Sequence, residues 1–137
     1  PKPQPAHLVL HVDLERPYLA AVGFGDGLVE PLPLEPGTYQ QGVFDFALTR
    51  EAGVWRFQNQ PYGAAPGFVF GLEARELEDF AGTCHTLQTS PESGFVRVTV
   101  CQKMTPTGVV SLRGATFREV TAAGVTERVL EGAEEFD

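Results

Sequence analysis

Basic residues are scarce in this sequence of 137 amino acids: ten Lys and Arg stand against 18 Asp and Glu, a formal net charge of −8. Binding to nucleic acid needs clustered Lys and Arg that neutralise phosphates, and attraction to anionic membrane surfaces needs the same residues. The composition therefore excludes both classes of partner. The simplest explanation of the acidic excess is that it keeps the folded protein in solution.

Long hydrophobic runs and cysteines are also lacking. No apolar run approaches the roughly 20 residues that span a bilayer, and the apolar stretch near the start is broken by His11 and Asp13, unlike a signal peptide. The two cysteines, Cys84 and Cys101, form no CxxC and have no partner at a metal-finger spacing, so no metal site is predicted. They could form one disulfide or none. We favour two reduced thiols in a cytoplasmic protein.

What the sequence does contain is enough apolar material for one core, with 42% hydrophobic residues and ten Phe. The first pattern has a period of two: residues 7–14 place Leu8, Leu10, Val12 and Leu14 on one face, with Val9 on the other. A turn at residues 15–17 and a return at residues 18–22 predict a β-hairpin.

Glycine and proline interrupt this pattern twice. Residues 23–27 hold three glycines and predict a loop with unusual dihedrals or close backbone approach. Residues 31–37 hold three prolines and are predicted to run extended across a surface. Further strands are predicted over residues 43–48, 54–57, 67–71, 95–100, 109–120 and 126–130.

One helix is predicted over residues 73–80, with Gly82 as its stop, and the acidic residues 131–137 could begin another. The turn at residues 105–108 separates the later strands. These elements predict a mainly β (α+β) protein, an antiparallel β-barrel or sandwich with one inserted helix. We divide the chain into residues 1–66 and 67–137, which form one compact unit.

Four motifs in this order resemble the arylamine N-acetyltransferase family. A His opens a strand at residues 6–10 (AHLVL), and residues 18–25 (YLAAVGFG) resemble the family's Tyr-Leu-Val-Asp-Val-Gly-Phe-Gly. A Pro-Leu-x-Leu stretch follows at residues 31–34. Residues 88–95 (QTSPESGF), preceded by Asp79 and Phe80, are close to the family's Thr-Ser-Pro-x-Ser-x-Phe. The resemblance covers nearly the whole chain.

The resemblance implies a fold and a reaction. Such enzymes combine a helical part, a β-barrel and an α/β lid, and this chain resembles the barrel followed by most of the smaller lid-like segment. They transfer acetyl from acetyl-CoA to a Cys and then to an arylamine, arylhydroxylamine or hydrazine. The Cys is activated by a His that an Asp orients. The helical part with its Arg-Gly-Gly-x-Cys motif is not found in this sequence.

The resemblance places His7 at the catalytic His and Ala21 at the orienting Asp. A neutral imidazole can take a thiol proton near pH 7. A methyl group cannot accept the imidazole N–H, so loss of the carboxylate should cost several powers of ten in rate. Asp26 could replace it only if the glycine loop folded back. Asp13 would lie about 20 Å from His7 along a straight strand.

A nucleophile for this imidazole is missing as well. Cys84 stands beside His85, but on an extended chain these neighbours would point to opposite faces, which is poor placement for proton transfer. Cys101 ends a predicted strand and reads as a small core or surface residue. Neither thiol is predicted to be catalytic.

The remaining site residues follow from the resemblance. Thr89, Ser90 and Ser93 match the stretch that lines the CoA cleft in some members, although the carboxylate of Glu92 would repel phosphate. These hydroxyls could equally belong to a polar turn that leads into a strand. Phe24 and Gly25 match the acceptor pocket, and loop packing is the alternative for Phe24.

Three hypotheses remain open. The chain could be part of an acetyltransferase-like enzyme whose Cys-bearing part comes from elsewhere. It could instead be a non-catalytic relative that holds a small aromatic molecule or a protein beside the glycine loop. It could also be an interaction module without a ligand, whose uncovered apolar surface leads to self-association.

Overall fold

The computed structural model describes residues 5–23 and 25–136, and antiparallel β-sheet dominates them. The strands are β1 (Leu10–Asp13), β2 (Pro17–Ala20), β3 (Leu32–Pro33), β4 (Gly37–Gln41), β5 (Phe44–Glu51), β6 (Val54–Gln58), β7 (Gly67–Phe70), β8 (Val100–Thr105), β9 (Gly108–Arg113), β10 (Thr116–Thr121) and β11 (Gly124–Val129). They form three sheets in the orders β1-β2-β3, β4-β5-β6-β7 and β11-β10-β9-β8. The mainly β, antiparallel class predicted from the sequence is confirmed.

The predicted first hairpin is present, with β1 antiparallel to β2 and Leu10 opposite Ala20. Its more apolar face is not the buried one: Leu8, Leu10 and Leu14 are exposed, whereas Val9 packs against the core. Alternation identifies two faces of a strand, but the elements packed around the strand decide which face is covered.

The second sheet is the aromatic centre of the molecule. Alternate residues of β5 and β6 are buried, and the turn between these strands uses left-handed backbone at Ala52 (φ 48°) and Gly53 (φ 83°). Strand β7 pairs with β6, with Phe57 opposite Phe68. The division after residue 66 stays a prediction, although β7, just beyond it, belongs to this sheet.

The proline-rich stretch, residues 31–37, is more buried than predicted. It contains β3, which pairs with β2 and places Leu19 opposite Leu32. Leu32 and Leu34 are both buried. The prolines keep the backbone extended, and the leucines between them still reach the core.

The third sheet corrects two strand predictions. Residues 95–100 begin as helix α2 (Gly94–Arg97), and β8 starts only at Val100. The strand predicted over residues 109–120 is two strands, β9 and β10, separated by a turn at Gly114 with φ 57°. Val109 and Val120 are paired across them and join the same core as the first two sheets.

The predicted helix is displaced along the chain. Residues 77–80 form only a 3-10 turn (Leu77–Phe80), and the helix α1 spans Ala81–Thr89. Gly82, predicted to end the helix, lies inside it. The acidic residues are the reason: the backbone N–H of Glu76 donates to Asp79 Oδ2 at 3.2 Å, which closes the first turn and starts the helical run there.

The carboxyl-terminal end of the described chain is a short helical turn. A 3-10 turn, Ala133–Phe136, follows the buried Leu130, in keeping with the predicted short helical start. Among the described residues, no helix has the length and apolar character needed to cross a membrane.

Candidate functional site

His7 lies three residues before β1 and rests on the aromatic side of the second sheet. Its ring centroid is 4.5 Å from that of Phe68, which in turn lies 4.8 Å from Phe57. Burial lowers the pKa of His7 from its ordinary value of 6.5, because a half-buried ring loses hydration that the charged form needs. Burial therefore favours the neutral imidazole, the form that accepts a proton.

Ala21 directly follows β2, one residue beyond the pair formed by Leu10 and Ala20. Its side chain is half-buried and carries no acceptor for an imidazole N–H. The place that the resemblance gives to an orienting carboxylate is therefore occupied by a methyl group.

The two nearby carboxylates are engaged elsewhere. Asp26 Oδ2 accepts a hydrogen bond from the backbone N–H of Ala64 at 2.5 Å, across the molecule from its own loop. Asp13 lies 3.3 Å from Nε2 of His11, an exposed pair at the end of β1. Neither contact orients His7.

The glycine loop comes close to the third sheet. Gly23 has φ 117°, which favours glycine, and a Cβ on Gly25 would lie 2.6 Å from Cβ of Gln102 on β8. Gly25 is thus required by packing as well as by any role in a pocket. Phe24, its predicted partner in the acceptor pocket, lies outside the described residues.

The predicted CoA-contacting hydroxyls bond to the backbone at the end of α1, in the loop after it and at the start of α2. Thr89 Oγ1 donates to the His85 carbonyl at 2.8 Å, and Ser93 Oγ donates to the Leu87 carbonyl at 2.5 Å. Ser93 also begins α2, accepting from the Phe95 N–H, and Ser90 Oγ accepts from the Glu92 N–H at 3.3 Å. These bonds explain the hydroxyls structurally, while the CoA assignment remains a prediction.

The surroundings of Cys84 differ from the prediction, whereas the exposed Cys101 agrees with its reading as a small core or surface residue. Cys84 and His85 sit on helix α1, not on an extended chain, so they are about 100° apart around the helix axis. Cys84 Sγ accepts from Gln88 Nε2 of the next turn, at 2.8 Å. Both Cys84 and Cys101 are free and exposed.

Three polar residues are buried: Asp26, Asn59 and Gln60. The sequence drew attention to Asp26 only as a possible replacement for the orienting carboxylate, and Asn59 and Gln60 went unnoticed. The last two open the loop between β6 and β7, residues 59–66, which borders a cleft of about 670 Å³ that also touches Phe57 and Phe68. Consecutive polar residues between two apolar strands were the available signal. Within the described parts of the chain, no three His, Cys, Asp or Glu side chains form a metal-binding group.

A sequence model of the N-acetyltransferase family matches residues 2–137. The chain is 34% identical to arylamine N-acetyltransferase 2 of Macaca mulatta, over 81% of this chain and 46% of that protein. It is 32% identical to arylamine N-acetyltransferase 2 of Homo sapiens, over 90% of this chain and 51% of that protein. It thus spans about half the length of these relatives.

Solved structures are similar over the same extent. The N-arylamine acetyltransferase of Mycobacterium smegmatis superimposes with a TM-score of 0.81 at 27% identity, over 99% of this chain and 52% of that one. The Mycobacterium marinum arylamine N-acetyltransferase, solved in complex with CoA, gives 0.80 at 26% identity with the same coverage. Together with the family match, the antiparallel sheets and the order of the motifs, this similarity means that the chain belongs to the arylamine N-acetyltransferase family.

Proposed function

We propose that this chain supplies the proton-accepting side of an acetyl-transfer site that moves acetyl from acetyl-CoA to arylamines or hydrazines. The observation that carries the proposal is the half-buried imidazole of His7, which lies against Phe68 and whose pKa is lowered by burial. The motif resemblance assigns this residue to the family's catalytic His. The nucleophilic thiol would come from a Cys-bearing part outside these 137 residues.

The proposed reaction has two transfers. The imidazole of His7 takes the proton of the Cys thiol that the other part supplies. The resulting thiolate attacks the carbonyl carbon of acetyl-CoA. CoA leaves as its thiol after the imidazolium returns the proton. The amine then attacks the acetyl-thioester and gives a proton to His7, which passes it to the departing Cys. The imidazole ends each transfer neutral.

The alanine at position 21 predicts a slow version of this chemistry. Nothing at that side chain can hold the imidazole tautomer or stabilise the imidazolium that forms in both transfers. In the serine-protease relay, losing the equivalent interaction costs about 10⁴ in rate. We therefore propose residual rather than full transferase activity, if a thiol is supplied.

The ligand contacts follow the family positions. We propose that CoA lies along Thr89, Ser90 and Ser93, since a relative of the same fold has been solved with CoA. The acceptor amine would lie at Phe24 and Gly25. A cytoplasmic location remains a prediction from the two cysteines.

Exposed apolar side chains at the first hairpin support the proposal that a second part completes the site. Leu8, Leu10, Leu14 and Val22 are between 43% and 77% exposed on and beside the first hairpin. An apolar patch of this kind marks an interaction surface. We propose that the Cys-bearing part covers it, and that the chain self-associates through it when that part is missing.

The test is acetyl transfer after complementation. The chain is mixed with the Cys-bearing amino-terminal part of a family relative, and transfer from acetyl-CoA to 4-methoxyaniline is followed. Activity that needs both polypeptides, disappears with His7→Gln and survives His11→Gln supports the proposal. His11 is the matched control because it is exposed and pairs with Asp13. Equal activity of the His7 variant would contradict it.

A non-catalytic binding domain is the second candidate, and Ala21 is the observation that favours it. This reading expects CoA or an arylamine to bind without transfer. Calorimetric titration of the chain with CoA, followed by mass spectrometry after incubation with acetyl-CoA, separates the two. Acetylation of Cys84 or Cys101 at neutral pH would contradict our view that neither thiol is catalytic.

A further inference from the structure

The carboxylate of Asp26 is the most deeply buried acidic group among the described residues, at 2% exposure. One oxygen, Oδ2, accepts the Ala64 N–H, while Oδ1 is buried without a hydrogen bond. No ion pair of the described residues includes Asp26. Burying a carboxylate with so little compensation is costly. Its presence therefore calls for a role that an apolar residue would not fill.

Gly25, the residue before Asp26, lies close to a different element. Gly25 lies so close to β8 that a Cβ there would meet Gln102 Cβ at 2.6 Å. Two consecutive residues of the glycine loop are thus held by two different elements: Gly25 by the third sheet and Asp26 by the loop of residues 59–66. Gly25 therefore lies against β8, and Asp26 is bonded to the loop of residues 59–66.

The loop of residues 59–66 is itself anchored. Asn59 Nδ2 donates to the Ala65 carbonyl at 3.0 Å, and the Tyr62 N–H donates to Gln60 Oε1 at 2.7 Å. From β10, Arg118 Nη1 donates to the Tyr62 carbonyl at 3.1 Å.

The anchor continues into the third sheet, because Nε of the same guanidinium lies 3.1 Å from a carboxylate oxygen of Glu127 on β11. A continuous series of contacts therefore runs from β11 to Asp26.

We propose that Asp26 is a positioning residue: its bond to Ala64 N–H holds residues 25–27 of the glycine loop, and with them the proposed acceptor pocket at Gly25. The inference rests on the proposed function, because that function places the acceptor amine at this loop. Asp26 acts through the backbone of residues 59–66 and does not take the place of the family's orienting carboxylate at position 21. Its acceptor oxygen matters more than its charge.

The test compares Asp26→Ala, which removes the acceptor, with Asp26→Asn, which keeps an acceptor oxygen of the same reach. Asp45→Ala on β5 is the control, since Asp45 is exposed. For each folded variant, NMR gives the amide exchange of Ala64 and the Kd of 4-methoxyaniline. We expect Asp26→Ala to speed exchange and weaken binding, each about tenfold, a factor that corresponds to one lost hydrogen bond. Asp26→Asn should restore both to within about threefold.

The outcomes separate the claims. Faster exchange with unchanged Kd would mean that Asp26 is merely structural and would overturn the inference. No binding by the unaltered chain would overturn the acceptor pocket, and the positioning role with it, while the exchange at Ala64 still reports on the contact. If Asp26→Ala does not fold, Arg118→Gln takes its place. An unchanged Kd in that variant also overturns the inference.

Discussion

The second sheet and the helical segment after it are built in opposite ways. In β5 and β6, Phe46, Leu48, Trp55 and Phe57 are between 1% and 3% exposed. The rings of Phe46 and Phe57 stack with their centroids 5.9 Å apart. In the 3-10 turn Leu77–Phe80 and in α1 and α2, no side chain is buried, and Phe95 is 81% exposed. Apolar residues occur in both regions. The contrast teaches that this chain is stabilised by its sheets, while the helical segment offers surface.

The largest effect should come from the sheet core. Phe46→Ala leaves a cavity beside Phe57 and should lower the free energy of unfolding by about 3–5 kcal/mol. Phe95→Ala removes the same side chain from α2 and should change it by less than about 0.5 kcal/mol. Urea unfolding measures both. A large loss at Phe95 would mean that the helical segment is packed in solution, and the contrast would fail.

The next effect concerns the proposed chemistry at the first hairpin, which lies outside both regions. Ala21→Asp restores an acceptor for the His7 imidazole and should raise acetyl transfer in the complemented assay by about 10²–10⁴. Ala20→Asp, one residue earlier on β2, faces the other way and is the control. No gain at position 21 would mean that the relay fails for a reason other than the missing carboxylate.

A smaller effect is expected where the glycine loop meets β8. Gly25→Ala forces a Cβ against Gln102 and should destabilise the fold by about 1–3 kcal/mol. A Cβ at Gly71 would meet nothing within 4 Å, so Gly71→Ala should be close to neutral. Thermal unfolding of the two variants compares a packed loop with an open one. Equal melting temperatures would contradict the close approach.

The smallest effect is the pH dependence that His7 contributes. Because burial lowers its pKa in the folded state, the unfolded chain binds more protons near and below pH 6.5. Stability contributed by neutral His7 is therefore complete above the unfolded pKa and declines as pH falls through it toward the folded pKa. Urea midpoints between pH 8 and pH 5 should decline less steeply for His7→Gln than for the parent. An equally steep decline in His7→Gln and in the parent would contradict this prediction.

Local patterns located most of the sheet elements. Alternation predicted the hairpin of β5 and β6, and the turn of residues 105–108 was placed between β8 and β9, because strand and turn preferences act within a few residues. The helix was misplaced because apolar spacing at Leu77 and Phe80 suggested a buried stripe. The acidic pair Glu76 and Asp79 instead fixed where the helical run begins.

Local patterns predicted only part of the candidate site. The motif order identified the family and drew attention to His7, Ala21 and the glycine loop. The contact of Asp26 with Ala64 joins residues 38 apart in sequence, and the approach of Gly25 to Gln102 joins residues still farther apart. No local pattern encodes contacts of that separation.

The sequence by itself determined the antiparallel class, the family and the absence of a carboxylate at position 21. These depend on residue identity and on preferences that act over neighbouring residues. The tertiary structure alone decided that Val9 rather than Leu8 and Leu10 faces the core, that His7 rests on Phe68, and that Asp26 holds Ala64. Burial and pairing across sheets arise only when distant segments meet, and these meetings set which face is covered and which oxygen has a partner.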